Sequence, residues 1–231
     1  MAETRQAGTL ARTHEGQPGL PRGRSHLPPP AVSASQRERL LRSVIAAVSE
    51  HGYAAVTVAD IVRGARVSRK AFYAHFVSKE ECFLTATGEG GELMIGRAVS
   101  TSRALPAGAS DEDLLRAACR GYLAFLAAEP AFARVFYIHM PAAGSRAASR
   151  LDAGIRHFAK LNRRWHEHAR ERHPDWPAVP AEAYLALGGA TTELVRSMVH
   201  ADRIGDLPEL EDTLVALHLA VLAGRPWPPG D

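Results

Sequence analysis

Two short apolar stripes, set almost back to back, constrain this chain more than any other feature. Val58, Ile61, Val62 and Ala65 recur at i, i+3, i+4 and i+7, so they share one face of a short helix, with Thr57 as its N-cap. That helix ends near residues 64–67. A second one starts at Ser68, again an N-cap residue, and buries Phe72 and Phe76 four residues apart, while Arg69, Lys70, Tyr73 and His75 fall elsewhere around it. Two helices this short cannot enclose a core, so a third must cover them. Residues 35–51 supply it, with Leu40, Leu41, Val44, Ile45 and Val48 as the stripe and Ser35 with Glu38 as an expected capping box. Gly52 ends that helix as a left-handed C′ residue and Tyr53 packs back. The unit is a three-helix, homeodomain-like helix-turn-helix.

The order of these residues resembles the amino-terminal domain of the tetracycline-repressor (TetR) family of bacterial transcriptional regulators. That pattern has a first helix ending in Gly-aromatic (Gly52-Tyr53), a threonine-led helix (57–65), a small turn (Val67-Ser68), an aromatic-rich recognition helix (Phe72-Tyr73, His75-Phe76) and a lysine (Lys79). The resemblance spans roughly residues 35–85. Arg66 departs from it, standing where the family usually has glycine. A positive φ there carries strain of about 1 kcal/mol and places one more cation beside the nucleic acid.

Chemistry assigns roles to the exposed residues. Thr57 and Ser68 lie at helix N-termini, where a hydroxyl, free backbone N–H groups and the helix dipole suit a DNA phosphate. Arg69 and Lys70 open the recognition helix, from which an arginine reaches guanine O6 and N7 in the major groove of double-stranded DNA. The resemblance implies that Ala71 faces a thymine methyl or a sugar and that Tyr73, His75 and Lys79 contact phosphates. It also implies a homodimer built from the last two helices. Leu185, Gly188 and Gly189 on one helix, and Leu210, Leu214, Leu217, Val221 and Leu222 on the other, are compatible with that seam. The family's inducer pocket lies in its central helices. Met94, Tyr122, Phe125, Phe136, His139, Met140, Phe158 and Trp165 are the candidate lining here, fitting a small, mostly apolar effector.

The charge distribution agrees. Residues 1–81 hold 12 Lys/Arg against 7 Asp/Glu, whereas residues 82–231 hold 16 against 18, so the positive balance lies with the DNA-reading part. The remaining chain keeps a helical rhythm without strand alternation, which predicts an all-α protein of about nine helices. We expect a disordered tail (1–34), the helix-turn-helix domain (35–80), a ligand-binding and dimerisation domain (81–225) and a short C-terminal tail (226–231). Four arginines and a triple proline run keep the first 34 residues from forming the apolar core of a secretory signal. Cys82 and Cys119 have no spacing partner, which argues against a disulfide framework or zinc ribbon and fits a cytoplasmic protein. No stretch reaches the roughly 20 apolar residues of a membrane span.

Other function classes compete less well. His166-Glu167-His168, with His173 beyond, suggests a metal or acid–base cluster, but histidines at i and i+2 face different sides of a helix. No phosphate loop, nucleophile elbow or Rossmann glycine run occurs, so we expect neither enzyme nor cofactor. A sequence-indifferent nucleoid binder would use the same basic surface, and comparing specific with random duplex at matched salt separates the two.

Overall fold

The computed structural model describes residues 8–12 and 29–227. Among these it contains nine α-helices, one π turn, one 3-10 turn and no strand: α1 (Pro29–His51), α2 (Val58–Ala65), α3 (Arg69–His75), α4 (Lys79–Arg103), α5 (Asp111–Ala128), α6 (Pro130–Arg134), the π turn (Val135–His139), α7 (Ser145–Arg172), α8 (Ala181–His200), the 3-10 turn (Ile204–Leu210) and α9 (Glu211–Leu222). They form two compact units. The first is drawn from Met1–Glu92 and Ala128–Ala147, the second from Leu93–Ala127 and Ala148–Asp231.

Helix α1 starts at Pro29, six residues before the expected boundary. Proline suits a first helical turn, because its fixed φ is already helical and its missing N–H would have no partner there. Ser35 is therefore inside the helix and caps nothing, and Glu38 pairs instead with Arg42 one turn on. Of the expected tail, residues 29–34 are helical and residues 8–12 touch the first unit, whereas 1–7 and 13–28 lie outside the described residues. Pro226 and Trp227 of the C-terminal tail are non-helical, and 228–231 also lie outside.

In the first unit Leu40, Val44, Ile45 and Val48 of α1 meet Ile61 of α2, Phe72 of α3 and Phe83 of α4, all buried. The unit extends past the three expected helices: α6 and the π turn also pack on α1. The glycines of α4 explain how. A Cβ on Gly90 would lie 2.2 Å from the Phe132 ring, and one on Gly91 would lie 3.6 Å from Phe136. Gly90 and Gly91 thus form a notch that seats the aromatic side of α6, and α4 runs through them unbroken.

The second unit gathers α5, α7, α8 and α9 around Leu123, Leu126, Leu187, Leu214 and Leu222. Ser110 and Asp113 form a capping box on α5. Polar contacts tie α5 outward: ion pairs of Asp111 with Arg172, Arg120 with Glu211 (2.7 Å) and Glu112 with Arg225 (2.5 Å), and a contact of Asp111 with the His173 ring (3.1 Å). The α7–α8 contact relies on Gly188, whose Cβ would meet Ile155 at 3.1 Å. Both cysteines are buried and free, and burial pushes each thiol up to about 12.

Gly90→Ala sets helix propensity, worth about 1 kcal/mol in favour of alanine, against overpacking of about 1–3 kcal/mol. Phe132 is fully buried and has no room to yield, so we expect a net loss of stability, read as a lower urea midpoint at unchanged slope.

Candidate nucleic-acid interface

The reading surface is built on α2, α3 and the turn between them. Thr57 caps α2 through a full box: its hydroxyl accepts from the Asp60 N–H at 3.3 Å, and Asp60 in turn accepts from the Thr57 N–H (2.9 Å) and hydroxyl (2.6 Å). The hydroxyl and N–H of Thr57, with Arg63 (2.5 Å) beyond them, hold the Asp60 carboxyl down to about 2. Both donors of Thr57 are thus spent on a carboxylate that repels phosphate, which removes the physical basis for a phosphate contact by that side chain. Ser68 differs. Its oxygen accepts from the Ala71 N–H at 3.0 Å and it is exposed, so its hydroxyl proton is not committed to a carboxylate as that of Thr57 is.

The turn contains the strained residue expected from the sequence. Arg66 has φ 53 and ψ 42, and its N–H closes on Arg63 and Val62 as the cap of α2. From there the exposed cations Arg66, Arg69 and Lys70 succeed one another along the outer edge, and Asp60 is the sole acid in residues 57–79. Behind them Phe72 is fully buried and Phe76 nearly so, with ring centroids 5.9 Å apart. Tyr73 is 49% exposed, with the Arg69 guanidinium 5.8 Å from its ring centroid, and Val77 is 81% exposed just beyond the helix. Ala71 and His75 are half-buried. Phosphate can reach this edge, as can base edges from Arg69 and Lys70.

Lys79 takes a different place from the one expected. Its ammonium donates to the carbonyls of Tyr53 and Val56, both at 2.8 Å, and lies 4.2 Å from the Tyr53 ring centroid. Partial burial lowers its pKa. With two of three donors committed, Lys79 is a clamp on the turn between α1 and α2 before it is a phosphate ligand, and Tyr53 is fixed from its other side by Phe83 at 4.7 Å.

The other predicted sites are distributed as follows. Of the lining candidates, Met94, Tyr122, Phe125, Phe158 and Trp165 belong to the second unit, and Phe136, His139 and Met140 to the first. Tyr122 and Phe158 are 6.3 Å apart, and Phe136 stacks near Phe132 at 5.4 Å. Of the dimer candidates, Gly188, Leu214 and Leu222 are buried in the second unit's own core, so they serve the monomer. Leu185 is 46% exposed, Gly189 has open space at its Cβ, and Leu210, Leu217 and Val221 are half-buried. Sequence reading missed a buried polar set in the second unit. His218 donates from Nδ1 to the Leu214 carbonyl (2.7 Å) and meets Asn162 at 3.3 Å, while His166 meets the Tyr184 hydroxyl at 2.8 Å. Burial lowers both histidine pKa values, so each is neutral around pH 7. The signal for His218 was present: it interrupts an apolar seam one turn from both Leu214 and Leu222. His168 is exposed, on the opposite face from His166.

Residues 41–86 match the family model of bacterial regulatory proteins, tetR family. A search of curated proteins found no match. Solved structures share the fold. The fatty acid degradation regulator FadR of Bacillus halodurans is 18% identical, with 88% of this chain and 100% of that one covered at a TM-score of 0.72. FadR of Bacillus subtilis, solved in complex with stearoyl-CoA, is 16% identical over 81% and 98% at 0.69. A TetR-like regulator from Rhodococcus sp. RHA1 is 22% identical over 87% and 100% at 0.64.

Lys79→Met keeps most of the apolar stem and removes the clamp, leaving the carbonyls of Tyr53 and Val56 without their donor. The expected cost is about 1–3 kcal/mol, seen as a lower melting temperature without DNA present. Unchanged melting with weaker DNA binding would return Lys79 to a phosphate role.

Proposed function

We propose that this chain, which carries the reading domain and the fold of the tetR family of bacterial regulatory proteins, is a ligand-responsive transcriptional repressor that binds a pseudo-palindromic operator as a homodimer. The observation that carries this reading is the two-sidedness of α3: Phe72 lies in the core while Ser68, Arg69 and Lys70 stand exposed. In this reading Ser68, Tyr73 and His75 hold phosphates and set register, Ala71 approaches a sugar or a thymine methyl, and Arg69 and Lys70 read bases. Arg66 adds charge at the turn. One seven-residue helix covers few base pairs, so the operator repeats the half-site about one helical turn away and the protein doubles with it. The exposed Leu185 and half-buried Gly189 of α8, with the outer sides of Leu217 and Val221 of α9, which also pack on the chain's own core, are the surface we assign to the partner. The protein works in the cytoplasm, where it meets DNA, and no described helix is long and apolar enough to cross a membrane.

A small effector with a mostly apolar body releases it. Aromatic rings within each unit, such as Tyr122 with Phe158, support this chemistry, as does the stearoyl-CoA held by the Bacillus subtilis FadR of similar fold. The effector favours the state whose two reading heads are mis-spaced, and a differential affinity of a few kcal/mol is enough to empty the operator.

Two measurements test this. Arg69→Ala is expected to lose about 1–3 kcal/mol on a footprinted operator and to relax preference at one base position, with random duplex at matched salt as the reference. Equal binding of operator and random duplex by the unaltered protein would leave a sequence-indifferent DNA binder. Light scattering is expected to give a dimer at micromolar concentration without DNA, and Leu217→Glu to give a monomer that keeps its helical content.

A further inference from the structure

Glu129 holds a buried carboxylate, 6% exposed, at the joint where α5 gives way to α6. It stands at the N-cap of α6, yet its side chain makes no cap bond to that helix. It turns instead to a piece of chain about 120 residues away. The Thr9 N–H donates to Oε1 at 2.9 Å, the Thr9 hydroxyl to the same oxygen at 2.6 Å, and the Leu10 N–H to Oε2 at 2.9 Å. The approach demands glycine at residue 8. Gly8 has φ +70, and a Cβ there would stand 2.2 Å from Glu129 Oε2 and 2.9 Å from the Ala128 carbonyl oxygen. Ala11 completes the contact, 2% exposed. Three donors on one carboxylate, a left-handed glycine and a buried methyl make a fitted socket, because a buried carboxylate without donors is costly.

We propose that residues 8–12 are an internal ligand of a socket centred on Glu129, and that this latch seats α6 and thereby steadies the DNA-reading head. The path lies within the first unit. Glu129 precedes Pro130, the first residue of α6; Phe132 sits in the Gly90 notch of α4; α6 and the π turn pack on α1. At the end of the π turn His139 stands beside Gly52, with Nδ1 3.8 Å from where a Cβ would be, at the hinge between α1 and the helix-turn-helix. The socket recognises two successive backbone N–H groups, a hydroxyl and a small apolar residue, which is the chemistry of the Gly-Thr-Leu-Ala run of this chain. The effect on DNA rests on the regulator reading above, and the effect on α6 does not.

The test compares the full chain with a chain starting at residue 13, with Gly8→Ala and with the milder Thr9→Val, by hydrogen exchange over residues 130–140. Deletion and Gly8→Ala are expected to speed exchange there about tenfold, the loss of a charge-assisted set of bonds, and Thr9→Val by less. A synthetic peptide of residues 1–12, added to the shortened chain, restores protection, whereas the same peptide with Gly8→Ala does not. Unchanged exchange on deletion, or equal rescue by both peptides, overturns the latch. A footprinted duplex is then bound more weakly by the shortened chain, and equal affinity would overturn the coupling to the reading head. If the full chain footprints no DNA at all, the regulator reading fails, and the exchange and peptide results still decide the latch.

Discussion

A helix of seven residues has no stability of its own, since so short a segment cannot repay the entropy of its nucleation. The shape of the reading surface therefore depends on one interaction: burial of Phe72, and of Phe76 behind it, among the apolar residues of α1, α2 and α4. Fully burying an aromatic side chain contributes about 2–3 kcal/mol, and it fixes rotation as well as position. Once Phe72 points inward, the helical period sends Lys70 and Tyr73 outward, while Ser68 and Arg69 stand exposed at the start of the helix. The cations stand at the surface, Arg69 with its guanidinium 5.8 Å from the Tyr73 ring centroid. They are presented there because the other face has nowhere else to go, and Arg66 accepts a strained left-handed conformation to make the turn tight enough.

Lys79 and the α4 notch extend that logic. A rigid α3 is useful only if the turn between α1 and α2 is rigid too, and this turn runs through residues 52–57, where backbone carbonyls lack helical partners. The Lys79 ammonium supplies two of the missing donors, and Tyr53 covers it. Eleven residues on, Gly90 of the same helix receives Phe132. One helix thus carries a polar clamp toward the reader at its start and an apolar seat for α6 further along, both inside the first unit.

Much of this was legible in the sequence, and the parts that were not share a cause. Helix identity and most boundaries of the reading unit followed from local signals: the stripe Val58-Ile61-Val62-Ala65, the caps Thr57 and Ser68, and the stop at Gly52. The cationic front was legible because Lys70 lies across the helix from Phe72 and Arg69 opens its first turn. Failures arose wherever a residue's partner is distant in sequence or its side chain has two reasonable uses. The notch at Gly90 was not legible, because a glycine's neighbours are invisible until α6 is in place. Leu214, Leu222 and Gly188 read as dimer seam because apolar periodicity does not say whether the covering surface is one's own chain or another's. Lys79 and Thr57 read as phosphate ligands because charge and hydroxyl suggest an outside partner, whereas backbone carbonyls and Asp60 satisfy them first. Glu129 carried no local signal, since its donors lie about 120 residues away.

The division of labour between Thr57 and Ser68 shows how a single carboxylate decides what a helix N-terminus can do. Both termini have an exposed hydroxyl residue as cap and open backbone N–H groups. At α2 the third residue of the helix is Asp60, which takes both donors of Thr57 and whose carboxyl they hold down to about 2, so this end presents negative charge at neutral pH. Because the folded-state pKa is depressed, the box stabilises α2 above the ordinary carboxylate range and loses that contribution only as pH falls toward 2. At α3 the corresponding residue is Ala71, which offers its N–H to Ser68 and returns nothing. The dipole there is uncompensated, and the adjacent residues are Arg69 and Lys70. Of two termini built to one plan, α2 is closed to anions by its own capping box, and α3 is left open to them by an alanine.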